Sequence, residues 1–243
     1  MKPYSSRSAA LLFALALAAC SDRTVMPGSA QLESLGVLAT QGRQASARQQ
    51  LLSWAKQGSV VAQRELAFAY QGEAASAKDA VFWFTRAAQG GDKQAAFVLA
   101  GAYYNGQLGV EKDPVQAARW YHRAAAQNDE RAALMLSRMA KYGEGMPQDL
   151  QQSLAWLQQA SNNGNAQAMF LLSNAYAAGD GVSRDPALAR SWLEKSAQGD
   201  FPPALHSLAL EEGAPGANND PNRSYHLLKE ATEERRMHWD KAQ

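Results

Sequence analysis

The distribution of apolar and polar positions along the chain predicts helices, and it predicts the same pair of helices again and again. In GNAQAMFLLSNAYAAG, Ala168, Leu172 and Tyr176 fall at i, i+4 and i+8, one stripe of a 3.6-residue helix. In DPALARSWLEKSAQG, Ala189, Trp192, Leu193 and Ser196 fall at i, i+3, i+4 and i+7 on a second helix. Trp83, Trp120, Trp156 and Trp192 stand 37, 36 and 36 residues apart, and Leu227 follows 35 later in the same slot. Three residues before each is a small residue (Ala80, Ala117, Ser153, Ala189, Ser224), and four after each is another (Ala87, Ala124, Ala160, Ser196, Ala231). A second track, Ala62, Ala95, Ala132, Ala168 and Ala204, is followed four residues on by Leu66, Leu99, Leu136, Leu172 and Leu208. A period of this length marks a stack of identical hairpins, none of which can bury its apolar face alone.

The joints between the helices are where chemistry would be sought first, and they read as structure. GDGVSRDP, 179–186, lacks the alternating oxygen ligands and distal glutamate of a calcium loop, and it lacks the Gly-Lys-Ser/Thr of a phosphate loop. Asp185 is placed to cap a helix and Pro186 to open it, a start signal repeated at Asp113-Pro114 and Asp220-Pro221, with Asp149 keeping only the cap. The tryptophan of each second helix is expected to fill the space between hairpins, which predicts a buried Trp156.

Alanine, leucine four later, tyrosine four later again, a Gly-x-Gly-Val joint, Asp, then Ala-x-x-Trp and a small pair resemble the Sel1-like repeats, relatives of the tetratricopeptide solenoids. The likeness covers roughly residues 47–232 and is fullest in 165–198. Ala140 in place of the third tyrosine and Pro202-Pro203 at the start of the fifth unit depart from it. It implies an all-α solenoid of about five helix-turn-helix repeats, with a preceding helix near 43–57 and a C-terminal capping helix whose outer face is polar.

The N-terminus carries a separate message. Lys2 and Arg7 precede an apolar run from Ala9 to Ala19, too short to span a bilayer and shaped like a secretory signal. It ends Leu17-Ala18-Ala19-Cys20, which resembles the lipobox of bacterial lipoproteins, and Cys20 is the only cysteine in the chain. The expected organisation is a signal peptide over 1–19, a lipidated tether over 20–35 and the solenoid over 36–243, with Ser21 similar to outer-membrane sorting signals. The expected location is the periplasmic face of the envelope, with the fatty acyl chains on Cys20 as the membrane contact. Without Lys2 and Arg7 the chain has 22 basic and 23 acidic residues, a balance that gives no footprint for nucleic acid. A single cysteine also excludes an intrachain disulfide, so stability must come from packing.

Catalytic constellations are not evident, and neither a cofactor nor a metal is expected. His122, His206, His226 and His238 include no i, i+4 pair; His122 reads as helix surface, and His206 as half-buried at most. No Gly-x-Ser-x-Gly elbow occurs. What remains is a surface for another protein. Candidate contacts are Arg64, Phe68, Tyr104, Arg138, Lys141 and Asn174, at off-stripe positions of the first helices. Tyr104, like Phe97 and Phe170, occupies a slot that the repeat pattern also uses for packing. The resemblance implies two jobs: an immunity protein that blocks a type VI secretion effector of phospholipase type, or a scaffold of an envelope assembly such as exopolysaccharide export.

Overall fold

The computed structural model describes residues 26–72, 76–212 and 221–242. Among them are twelve α-helices and no strand: α1 Ser29–Thr40, α2 Ala45–Lys56, α3 Val60–Gln71, α4 Ala77–Gln89, α5 Lys93–Asn105, α6 Pro114–Ala125, α7 Glu130–Tyr142, α8 Leu150–Asn162, α9 Ala166–Ala178, α10 Pro186–Gln198, α11 Pro202–Glu212 and α12 Pro221–Ala242. From α3 onward the helices pair as hairpins, and the second helix of each hairpin packs on the first helix of the next, which makes an all-α solenoid.

The periodic residues are the core. Ala62, Ala95, Ala132, Ala168 and Ala204 are fully buried, and Leu66, Leu99, Leu136, Leu172 and Leu208 lie within 3% of it. Alanine at these positions lets backbones approach closely enough for continuous dispersion contact. Helix starts are fixed by side chains that accept orphan backbone N–H groups: Ser59, Asp92, Asp129 and Asn165 on the first helices, Asp113, Asp149 and Asp185 on the second. Asp220 lies outside the described residues. At the joint after α7, Gly145 has φ +72°, and a Cβ there would stand 2.3 Å from the carbonyl oxygen of Pro114 in the preceding unit. Only glycine lets the two units close at that point.

Three expectations change. Helix starts at Ser29, inside the span 20–35 read as a tether, because Leu32 and Ala39 find a core against α2 and α3. There α1 crosses α3 so closely that a Cβ on Gly36 would lie 2.0 Å from Oε2 of Glu65, so an N-terminal cap of two helices stands where one was expected. Second, Trp156, like Trp83 and Trp120, is only half-buried, and of the four repeat tryptophans only Trp192 is buried as expected. The residue that turns into the space between hairpins is the next one, Phe84, Tyr121, Leu157 and Leu193, at 0, 3, 7 and 4% exposure. One residue is 100° around a helix, which turns this neighbour toward the following unit while the tryptophan ring covers the seam. Third, α12 is the second helix of the fifth hairpin rather than an added cap, and Leu228, in that same slot, is 37% exposed because no hairpin follows it among the described residues.

Candidate functional site: a groove over α7, α8 and α9

Arg138 and Lys141, one turn apart on α7, and Asn174 on α9 line a single groove of about 530 Å³. Leu150, Leu154 and Leu157 of α8 enter it from below, and Leu134, Met135, Leu171, Ala175 and Ala178 from the walls. Leu150, Leu171 and Tyr142 at its edges are 44, 41 and 64% exposed, so a large part of its apolar surface faces water.

The groove exists because the repeat is underfilled at this interface. One hairpin pair earlier than the last filled one, Phe84 meets Phe68 edge to face with ring centroids 5.1 Å apart. At the next interface Tyr121 packs against Phe97 at 5.7 Å, and the fully buried Met139 adds its volume. At the third interface the residues corresponding to Tyr121, Phe97 and Met139 are Leu157, Leu134 and Ala175. Smaller side chains on the same backbone leave the volume open.

Its polar lining is only loosely tied down. Arg138 donates to the Tyr104 hydroxyl, which donates to Glu144, and the Arg138 Nε lies 4.0 Å from that carboxylate. Burial and the facing Glu144 push the Tyr104 phenol above its usual range, so it stays a donor. The hydrogen bond to Tyr104 holds the Arg138 guanidinium protonated still more firmly than usual. Lys141 Nζ is 3.2 Å from Asp180, and with side chains 45 and 56% exposed this pair contributes about 0–1 kcal/mol and is open to exchange. Ser137 and Ser153 satisfy each other at 3.1 Å. The side-chain amides of Asn174 and Gln167 are on exposed residues and have no hydrogen-bond partner among the described residues.

The other candidates are used elsewhere. Arg64 keeps 13% of its side chain exposed and binds Glu33 at 2.9 Å, Glu65 at 2.7 Å and Asp92 at 3.0 Å, so it ties α1 and the α5 cap to α3 and is no free contact. Phe68 is likewise spent on Phe84. Tyr104 acts on the groove only through Arg138. The sequence reading missed Tyr142, Leu150, Leu157 and Leu171; comparing slot by slot the residue after each tryptophan would have pointed to Leu157 together with Leu193, aliphatic where Phe84 and Tyr121 are aromatic. His206 is exposed rather than half-buried, and His122 lies on the surface with its ring 5.0 Å from that of Trp156. Among the described residues no group of three or more His, Cys, Asp or Glu could hold a metal ion, and no helix is long and apolar enough to cross a membrane. Cys20 and the signal segment lie outside the described residues.

Comparison with known proteins bears on the scaffold. The Sel1 repeat matches residues 60–92, 93–129, 131–165, 166–201 and 202–234. A Sel1 repeat protein from Oxalobacter formigenes is 27% identical with a TM-score of 0.73, covering 85% of this chain and 62% of its own. A protective antigen present in uropathogenic Escherichia coli strains is 25% identical with a TM-score of 0.68, covering 85% of this chain and 46% of its own. The immunity protein Pa5087 from Pseudomonas aeruginosa matches more loosely, at 19% identity, TM-score 0.46, and 69% and 66% coverage. The chain thus spans less than two thirds of either of the first two relatives. No curated protein matches it in sequence. With five consecutive matches over most of its length, arranged as five stacked hairpins, the chain belongs to the Sel1 repeat family.

Proposed function

We propose that this protein is a non-enzymatic, protein-binding solenoid of a bacterial envelope, anchored through lipid on Cys20 to the periplasmic face of the outer membrane, and that the α7–α9 groove receives its partner. The observation that carries the reading is the groove itself: aliphatic, open to water, and edged by an exposed arginine and lysine in a chain that fills the equivalent space twice elsewhere. Contiguous apolar surface with an arginine at its edge is the composition from which protein interfaces draw most of their energy. The partner is a toxic effector of phospholipase type that the chain blocks by binding; the resemblance to Sel1-like periplasmic lipoproteins supports this choice.

A photo-crosslinking residue placed at Asn174 in the living source cell tests it, with the exposed Arg119 of α6 as the control position. An adduct with a secreted effector at position 174 and not at 119, together with stoichiometric inhibition of that effector by the purified chain, is expected. A resident envelope protein in the adduct would make the chain a scaffold instead. Equal adducts at both positions, or turnover of lipid by the purified chain alone, would refute the proposal.

A further inference from the structure

We propose that the groove over α7–α9 recognises an acidic segment of the partner protein, seating an aliphatic side chain between Leu157 and Ala175 and holding a neighbouring carboxylate with Arg138 and Lys141. This rests on the protein-binding reading above and adds the chemistry of the ligand. The vacancy is lined by Leu134, Leu154 and Leu157 with Ala175 and Ala178, a shape made by deleting the bulk that Tyr121 and Met139 supply one unit earlier. An aliphatic side chain from outside restores those lost contacts, as a core residue would.

The charge of the lining sets the sign of the ligand. Arg138, Lys141 and Asp180 give it two cations and one carboxylate, a net charge of +1. Both cations stand on one wall a turn apart, and the acids they now face, Glu144 and Asp180, are on exposed joints with side chains 39 and 56% accessible. An incoming carboxylate can take over from either at little cost, whereas an incoming cation would add its charge to that of Arg138 and Lys141 and gain only what Glu144 and Asp180 already give them. The two amides decide for a protein segment over an acyl chain. Asn174 and Gln167 would be stripped of water against hydrocarbon with nothing to bond, but a peptide offers each an N–H or C=O.

The test is selection of a displayed random peptide library on the full chain, followed by titration of the enriched peptides. Two variants refill the vacancy: Leu157→Phe, in the manner of Phe84, and Ala175→Met, in the manner of Met139. Phenylalanine suits position 157 better than tyrosine, because the Tyr121 hydroxyl lies 3.8 Å from where a Cβ on Gly101 would be, the slot that Arg138 holds in the next unit. A third variant, Arg138→Gln with Lys141→Gln, removes both cations. The expected result is enrichment of peptides joining Leu, Ile or Met to Asp or Glu, with at least about tenfold weaker binding to each filled variant and to the neutralised one. Folding of every variant is checked by its urea midpoint, and having two filled variants keeps the test valid should one misfold. Enrichment of neutral or basic peptides, equal binding by the filled variants, an empty selection, or displacement of the peptides by palmitate at stoichiometric ratio would each overturn the proposal. A crosslink at position 174 that survives Leu157→Phe would leave partner binding standing and remove only this assignment of the ligand.

Discussion

Phe84→Ala probes the packing on which everything else is mounted. The ring is fully buried between α3, α4 and α5 and meets Phe68 edge to face at 5.1 Å. Removing a phenylalanine from such a site costs about 3–5 kcal/mol, since the transfer energy is lost and a cavity is left. Of this, the aromatic pair accounts for about 0.5–1.5 kcal/mol, and a double-mutant cycle with Phe68→Leu isolates that share. Each hairpin touches only its neighbours, so the damage should stay local: α1–α4 should melt ahead of α5–α12 and turn one urea transition into two. Trp156→Ala is the counterpart. Its ring is half-buried and its Nε1 is enclosed without a hydrogen-bond partner, so the loss should be about 1–2 kcal/mol despite the larger side chain. Urea titration followed by far-UV circular dichroism and by tryptophan fluorescence measures both. A cost for Trp156→Ala equal to or above that for Phe84→Ala would show that the inward faces of the second helices are wrongly assigned.

Asp129 is 1% exposed and caps α7 by accepting from the N–H groups of Arg131 and Ala132, so Asp129→Ala should cost about 1–2 kcal/mol in thermal melts, while Asp129→Asn should recover most of it, as Asn165 does at α9. Partial desolvation of its ring lowers the pKa of the surface His122 below its ordinary 6.5, so the unfolded chain binds the proton more readily; stability should fall as pH drops through 6.5 toward the folded value, and His122→Gln should remove that part of the pH dependence of the urea midpoint. Cys20→Ala should abolish labelling by a fatty-acid analogue and leave the unprocessed chain; a wild-type chain that takes up no label would remove the anchor from the account.

The repeat was legible because its signal is redundant: alanine and leucine recur in five units and the capping aspartate in four, and each recurrence tests the others. The helix at Ser29–Thr40 was not, since it has no partner in the repeat and its sequence, with Pro27 and Gly28 ahead of it, gains order only by burying Leu32 and Ala39 on α3. Tryptophan drew attention by size and period, yet the inward position is one residue later, where chemistry varies from phenylalanine to leucine and so shows no motif. The groove lies in that variation. Arg138, Lys141 and Asn174 stand out as residues that obey no repeat rule, but whether such residues meet depends on helix phase, which also sent Arg64 and Phe68 into packing.

The central claim, that the third interface is left unfilled to receive another protein, is tested most directly by Leu157→Phe measured twice. Its urea midpoint should match or exceed that of the wild type, since filling a cavity commonly contributes about 0.5–2 kcal/mol. Its isotherm against the protein recovered as the position-174 adduct should show binding at least about tenfold weaker. Unchanged affinity in a variant of undiminished stability would contradict the claim.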